Sequence, residues 1–168
     1  MSKRNMATAE TVERVQKIFD CVGIHGGYIT TSTGYERDLY FLIERDNCDY
    51  VTANIGHFTE VGNVACYDPM FDLILDKKEG KIKGIEIKKY FAQNMMGIVE
   101  IYPNGRVYHN GKPTGACENL VEYFGNFIYE AVEVLSYLHE SSTVHKYEKA
   151  VFESLIEADR RGCENSQD

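Results

Sequence analysis

Two groups of polar residues in the middle of the chain have types and spacing that could support chemistry. The first is Asp72 followed by the run Glu86-Ile87-Lys88. Metal-dependent nucleases place an acidic pair around Mg²⁺ or Mn²⁺ and a lysine near the attacked phosphate. A half-exposed amphipathic hairpin shows the same alternation of polar and apolar residues without any catalytic role. The leading interpretation is therefore a hairpin with no catalytic residue and no cofactor. A metal-dependent nuclease or hydrolase using Asp72, Glu86 and Lys88, with Mg or Mn as cofactor, is the alternative.

The second group is His57, Glu60 and Asp68, which lie within twelve residues of one another. An imidazole and two carboxylates together can hold a divalent metal ion. However, a lone histidine at a strand end usually takes part in structural hydrogen bonds, and an aspartate before proline is a natural turn former. We therefore predict no metal site here, with His57, Glu60 and Asp68 as the alternative set of ligands.

The elements that must position these residues follow from hydrophobic periodicity. Near the N-terminus, Val12, Val15, Ile18 and Phe19 recur at helical spacing, which predicts a helix from about Thr8 to Cys21. The following segment, residues 23–38, is rich in glycine and threonine. It lacks the Gly-Lys-Ser/Thr ending of a phosphate-binding loop, so the pattern predicts a turn or a mobile loop.

The middle of the chain predicts three β-hairpins. Residues 38–45 pair with 49–58, residues 71–76 pair with 82–91 across a turn at 77–80, and a third hairpin turns at Pro103-Asn104-Gly105. In the second hairpin, Phe71, Leu73, Leu75, Ile85 and Ile87 share one face, and Asp72, Asp76, Glu86 and Lys88 share the other. We expect an antiparallel sheet of five or six strands.

The last third of the chain predicts two helices. Apolar residues recur at helical spacing at Leu120, Phe124, Phe127, Ile128, Ala131, Leu135 and Leu138, and again from Val144 to about Arg161. Gly162 is a plausible stop, and residues 163–168 are expected to be disordered. The expected fold is α+β, with the sheet packed against a short N-terminal helix and two C-terminal helices in one domain, residues 1–162.

Composition limits the classes of function. With 18 basic against 26 acidic residues the net charge is −8, which argues against a protein whose main task is to bind phosphate backbones, so we expect no direct nucleic-acid binding. Five cysteines without a Cys-x-x-Cys spacing predict neither a disulfide framework nor a zinc site. No apolar run resembles a signal peptide or a membrane span, so a cytoplasmic protein without membrane contact is expected.

The stretch HFTEVGNVACYDPMFDLIL resembles the core of a domain-of-unknown-function family found on plasmids and other mobile elements, over roughly residues 55–99. The positions that carry the resemblance are His57-Phe58, Gly62-Asn63, Asp68-Pro69-Met70 and Phe71. The family's pattern reads Asp-Pro-Glu-Met at this place. The chain departs from it because no acidic residue stands between Pro69 and Met70. Because no activity is established for that family, the resemblance implies a genomic setting, that of a phage, plasmid or other mobile element, and not a reaction.

That setting favours a protein that binds host machinery. The predicted helix near residues 118–140 carries glutamates with no lysine or arginine among them, namely Glu118, Glu122, Glu130, Glu133 and Glu140. We expect these residues to bind a basic host protein, such as a nucleic-acid-handling or defence nuclease of the CRISPR or restriction type, and to inhibit it stoichiometrically. A solvated helix face without a partner is the simpler interpretation. Twelve tyrosines also leave a homodimer open.

Overall fold

The computed structural model describes residues 5–22, 26–31, 38–46, 50–61, 64–94, 96–116, 119–137 and 142–146. Two helices and nine strands lie within these residues, in the α+β class. The helices are α1 (Ala9–Val22) and α2 (Leu120–Tyr137).

The strands are β1 (Gly26–Thr31), β2 (Asp38–Asp46), β3 (Tyr50–Val61), β4 (Val64–Lys78), β5 (Lys81–Asn94), β6 (Gly97–Ile101), β7 (Arg106–His109), β8 (Lys112–Ala116) and β9 (Ser142–Lys146). They form a single antiparallel sheet in the order β8-β7-β6-β5-β4-β3-β2-β1-β9. The first eight strands are therefore each paired with their neighbour in sequence, and β9 returns to the far edge beside β1.

Both helices begin at a capping side chain. The backbone amide of Thr11 donates to the hydroxyl of Thr8 at 3.2 Å, and the amide of Glu122 donates to the side-chain oxygen of Asn119 at 3.1 Å. Each bond satisfies an amide that has no partner inside the helix, so these two residues fix where α1 and α2 start.

The helices pack on one face of the sheet, and the core lies between the two layers. On the sheet side it contains alternate residues of β3, β4 and β5, with Phe71 at its centre. The Phe71 ring lies 5.1 Å from Phe124, 5.4 Å from Phe127 and 5.4 Å from Tyr90, measured between centroids. The buried helix residues are Val15, Ile18, Phe19, Leu120, Phe124, Phe127, Ile128 and Ala131.

The three predicted hairpins are confirmed by the strand pairing, including Leu73 opposite Ile87 and Leu75 opposite Ile85. In the third hairpin the turn is closed by the amide of Gly105, which donates to the carbonyl of Tyr102 at 2.9 Å. Gly105 has a φ of 83°, a left-handed conformation that glycine adopts at little cost.

Two predictions about the sheet are wrong. The expected count of five or six strands is too low, partly because residues 26–31, predicted as a turn or loop, form β1 between β2 and β9. The helix predicted from Val144 is not helical at its start, since Val144 lies in β9 opposite Ile29. The β-branched residues Thr143 and Val144 suit a strand, and apolar residues at helical spacing do not by themselves exclude a strand. Residues 147–162 of that helix and the 163–168 tail lie outside the described residues.

The first half of β5 pairs with β4 on one side and, in the part of the chain that the structure describes, has no neighbouring strand on the other, where the N-terminal residues Met6 and Ala7 lie. There the amide of Ala7 donates to the carbonyl of Ile85 at 2.9 Å, and Met6 forms an isolated antiparallel bridge with Glu86. This short pairing satisfies backbone groups that would otherwise be exposed at a sheet edge. Within the described residues, neither helix combines the length and the unbroken apolar character needed to cross a bilayer.

Candidate functional site

The outward surface of the two helices is the first candidate. We call it the acidic helix face, and it consists of the exposed residues Glu10, Glu13, Asp20, Glu122, Tyr123, Tyr129 and Glu130. Its two tyrosines are exposed to 51% (Tyr123) and 48% (Tyr129). Tyrosine is enriched in protein interfaces because its ring adds contact area and its hydroxyl adds a hydrogen bond.

Close packing of α1 against α2 makes this surface continuous. Thr11 is 4% exposed and faces Gly125, where an added Cβ would lie 3.4 Å from the Thr11 hydroxyl. Further along, the Arg14 guanidinium lies 4.8 Å from the centroid of the Tyr129 ring. Since Thr11 meets Gly125 and Arg14 meets Tyr129, the helices run side by side in the same direction. An open groove of about 460 Å³ follows their contact.

The charge of this face is negative. The 18 residues of α2 contain no lysine or arginine. On α1, Arg14 is bound to Glu10 at 2.7 Å, and Lys17 is exposed. Five carboxylates therefore share the surface with two cations, one of which is already paired. Such a surface attracts a basic partner and favours fast association at low salt.

Two of the five glutamates predicted for partner binding, Glu122 and Glu130, are exposed on this face. The side chain of Glu133 and the whole of Glu118 and Glu140 lie outside the described residues.

The Asp72–Glu86–Lys88 group lies on the opposite face of the sheet, as the alternation predicted. The β4–β5 register places Asp72 opposite Lys89 and Glu86 opposite Ile74. The register shifts between these two pairs, so that Lys88 is an extra residue of β5 with no partner position on β4. The Lys88 ammonium lies 3.6 Å from a carboxylate oxygen of Glu86. The Glu86 side chain is only 11% exposed, whereas that of Lys88 is 52% exposed. The nuclease hypothesis stays a prediction.

The His57 group is only partly described. His57 is half-buried and faces the helix layer, where its ring meets that of Phe127 edge-on at 5.2 Å. The backbones of Glu60 and Asp68 lie in β3 and β4, and their side chains lie outside the described residues. Among the side chains that the structure describes, no three His, Cys, Asp or Glu residues come together as metal ligands.

Sequence reasoning missed a cluster formed by Lys89, Glu100 and Tyr102, on the sheet face opposite the helices. The Lys89 ammonium donates to a Glu100 oxygen at 2.8 Å, and the Tyr102 hydroxyl donates to the same oxygen at 3.1 Å. Glu100 and Tyr102 follow Lys89 by 11 and 13 residues, and the β5–β6 pairing brings them together. The spacing did not signal this contact, because it does not specify the register between the two strands.

The cluster shifts the pKa of each member. The hydrogen bond from Lys89 lowers the pKa of the Glu100 carboxyl, and burial opposes this only in part. Burial acts to lower the pKa of Lys89, but the hydrogen bond and charge of Glu100 outweigh it, so this pKa is raised. Burial, followed by the bond to Glu100, raises the pKa of Tyr102. At neutral pH the three groups therefore form a charge-neutral pair with a protonated phenol beside it.

The chain matches no protein-family model, no curated protein and no solved structure. The resemblance to the mobile-element family therefore stays a prediction.

Proposed function

We propose that this protein is a stoichiometric binding module that captures a basic protein partner through the acidic helix face. The observation that carries the proposal is the pair of exposed tyrosines, Tyr123 and Tyr129, flanked by Glu122 and Glu130 on a helix without any cation. Aromatic anchors supply most of the affinity of protein interfaces, and surrounding charges set the rate and the choice of partner.

The class of partner follows from complementarity. A basic surface large enough to cover two adjacent helices is typical of proteins that handle nucleic acids, because their grooves must neutralise phosphates. Carboxylates spaced along a helix can occupy such a groove in place of phosphates. We accordingly propose that the partner is a host nucleic-acid-handling or defence enzyme, and that the protein inhibits it by occupying its groove. The two proteins would meet in the cytoplasm of a cell that carries a mobile element.

The test is capture of partners from bacterial lysate by tagged protein at low and moderate salt, followed by mass spectrometry. Three proteins are compared: the wild type, the variant Glu122→Gln/Glu130→Gln, and the control Asp76→Asn/Glu79→Gln. The control removes the same charge from exposed residues at the β4–β5 turn. We expect one basic partner at near-equal stoichiometry with the wild type and the control, reduced recovery with the helix variant, and loss of the partner as salt rises.

Affinity measurements with the captured partner then separate the roles of ring and charge. We expect Tyr123→Ala to weaken binding by at least about fivefold, as for an interface anchor worth about 1 kcal/mol or more. Each neutralised glutamate should cost less and should act mainly on the association rate. Equal recovery of the same partner by all three proteins would refute the proposal. So would a homodimer, seen by light scattering, in which Tyr123 and Tyr129 are covered by a second copy.

A further inference from the structure

The basic residues of this acidic chain are concentrated in one segment. Residues 77–116 contain eight of the 18 lysines and arginines but only three of the 26 acidic residues. This segment therefore carries a net charge of +5, in a chain whose total is −8. It comprises the end of β4 and all of β5 to β8. A strong difference in charge between parts of a chain is a recognised signal of an anion-binding surface.

The strands place three of these charges, Lys88, Lys89 and Arg106, beside a row of aromatic rings on the sheet face opposite the helices. The row has three rings on strands, Tyr67 on β4, Phe91 on β5 and Tyr108 on β7, and a fourth, Tyr102, directly after the end of β6. The centroids of Tyr67 and Phe91 are 5.5 Å apart, and those of Tyr102 and Tyr108 are 5.6 Å apart. We define these four residues as the aromatic row. All four rings are half-buried, so each is held in place and still presents an edge or face to solvent.

Three cations lie beside the aromatic row. The Lys89 ammonium lies 5.5 Å from the centroid of Phe91 and 5.9 Å from that of Tyr102. Lys88 is exposed next to it, and Arg106 is exposed two residues before Tyr108 on the same face of β7. Because Lys89 neutralises Glu100, the Glu100 carboxylate does not repel an approaching phosphate strongly.

One end of the row opens into a cleft of about 620 Å³. Its walls include Tyr102, Tyr108, Glu100, Asn5 and Asn104. This volume is typical of sites for small organic molecules and is sufficient for a single nucleobase. Amide and carboxylate side chains offer both donors and acceptors, which match the edges of an unpaired base.

From these observations we infer that the sheet face bearing the aromatic row binds single-stranded nucleic acid. Bases would stack along Tyr67, Phe91, Tyr102 and Tyr108, and phosphates would contact Lys88 and Arg106. Stacking on aromatic residues and contact with basic side chains is how single strands are bound with little sequence preference. A duplex would bind more weakly, because its bases are already stacked on one another and cannot reach the row.

The test measures fluorescence anisotropy of labelled oligonucleotides of about 12 nucleotides, within the range of about 4–16 nucleotides that such surfaces cover. Single-stranded RNA, single-stranded DNA and a duplex are titrated with the full chain. We expect a dissociation constant on the order of 10⁻⁴ to 10⁻⁶ M for single strands near physiological salt, as for binding dominated by electrostatics. Tyr108→Ala should weaken binding by about 5- to 150-fold, the loss of one base stack, whereas Tyr108→Phe should retain it.

A charge variant tests the phosphate contacts. Lys88→Gln/Arg106→Gln should reduce the slope of log K against log salt by about 1.4, or about 0.7 for each phosphate that is no longer neutralised. The control Lys17→Gln/Lys77→Gln removes the same charge from the helix side, where Lys17 is exposed on α1 and Lys77 lies 6.0 Å from the Phe19 ring. It should leave the slope unchanged.

Three results would overturn the inference. One is the absence of saturable binding at low salt, and another is binding that is equal for Tyr108→Ala and the wild type. The third is a concentration-dependent dimer that the Lys88→Gln/Arg106→Gln variant abolishes. That dimer would show that the acidic helix face of a second copy covers the basic sheet face.

Discussion

Two glycine-to-alanine substitutions should change stability in opposite directions, because the two glycines have different surroundings. Gly56 lies in β3 beside β4, where a Cβ would overlap the carbonyl oxygen of Pro69 and lie 2.8 Å from Cα of Met70. Gly125 lies in α2 at its contact with α1, where the nearest atom to a Cβ would be the Thr11 hydroxyl at an ordinary 3.4 Å. Backbone blocks the first position, and space is available at the second.

The magnitudes follow from these distances. Gly56→Ala forces two paired strands apart, and overpacking of this kind costs about 1–3 kcal/mol. Gly125→Ala replaces a poor helix former with the best one, which is worth about 0.8–1.0 kcal/mol in an exposed helix and somewhat less here because of the contact with Thr11. For a chain of this size, each kcal/mol shifts the melting temperature by about 2–4 °C. We expect a decrease of about 2–12 °C for Gly56→Ala and an increase of up to about 4 °C for Gly125→Ala.

Thermal unfolding followed by circular dichroism measures both effects. Gly115→Ala is the control, since no atom lies within 4 Å of a Cβ at that exposed position in β8. Destabilisation by Gly125→Ala equal to that by Gly56→Ala would show that the two helices approach more closely at Gly125 than the 3.4 Å distance to Thr11 implies, and would refute the space assigned to that position.

Three further substitutions have defined outcomes. Phe71→Ala should cost about 3–5 kcal/mol in urea unfolding, because Phe71 is 1% exposed and contacts three aromatic rings; a cost below about 1 kcal/mol would contradict the packing of the core. Glu100→Gln should be less stable than the wild type at neutral pH. The folded state lowers the pKa of Glu100, so the stability difference between the two proteins should be complete above the unfolded pKa of about 4.3. It should vanish as the pH falls through the folded pKa. A stability difference that does not change with pH would contradict this prediction. We expect Mg²⁺ and Mn²⁺ to leave the melting temperatures of the wild type and Glu86→Ala unchanged; a rise in the wild type alone would favour the metal-dependent alternative at Asp72 and Glu86.

Local sequence patterns predicted the hairpins and the helices that form the core. The alternation in residues 71–76 and 82–91 placed Phe71 and Ile87 on one face and Asp72 and Glu86 on the other, and the strand pairing confirms this. The pattern was sufficient because each hairpin joins neighbouring strands by a short turn, so that local periodicity and tertiary pairing impose the same arrangement.

Patterns failed where pairing is distant in sequence and where a contact depends on the register between two strands. Residues 26–31 gave no strand signal, yet they pair with β9, more than 100 residues away. The contact of Lys89 with Glu100 and Tyr102 likewise depends on the register between β5 and β6. The total charge of −8 also concealed a basic segment, because a sum over the chain does not record where charges are placed.

The sequence by itself determined the three hairpins, the apolar faces that form the core, and the acidic character of α2; it did not predict the start of β4, where Asp68 lies in a strand and not in a turn, or β8. Those properties depend on neighbours within one element or one hairpin. Only the tertiary structure decided which side chains share a surface. The packing of Thr11 against Gly125 joins two helices into the acidic helix face, and the alignment of four strands assembles the aromatic row. Both surfaces bring together residues from separate elements, and their relative positions depend on close packing and register, which the spacing of residues along a chain does not specify.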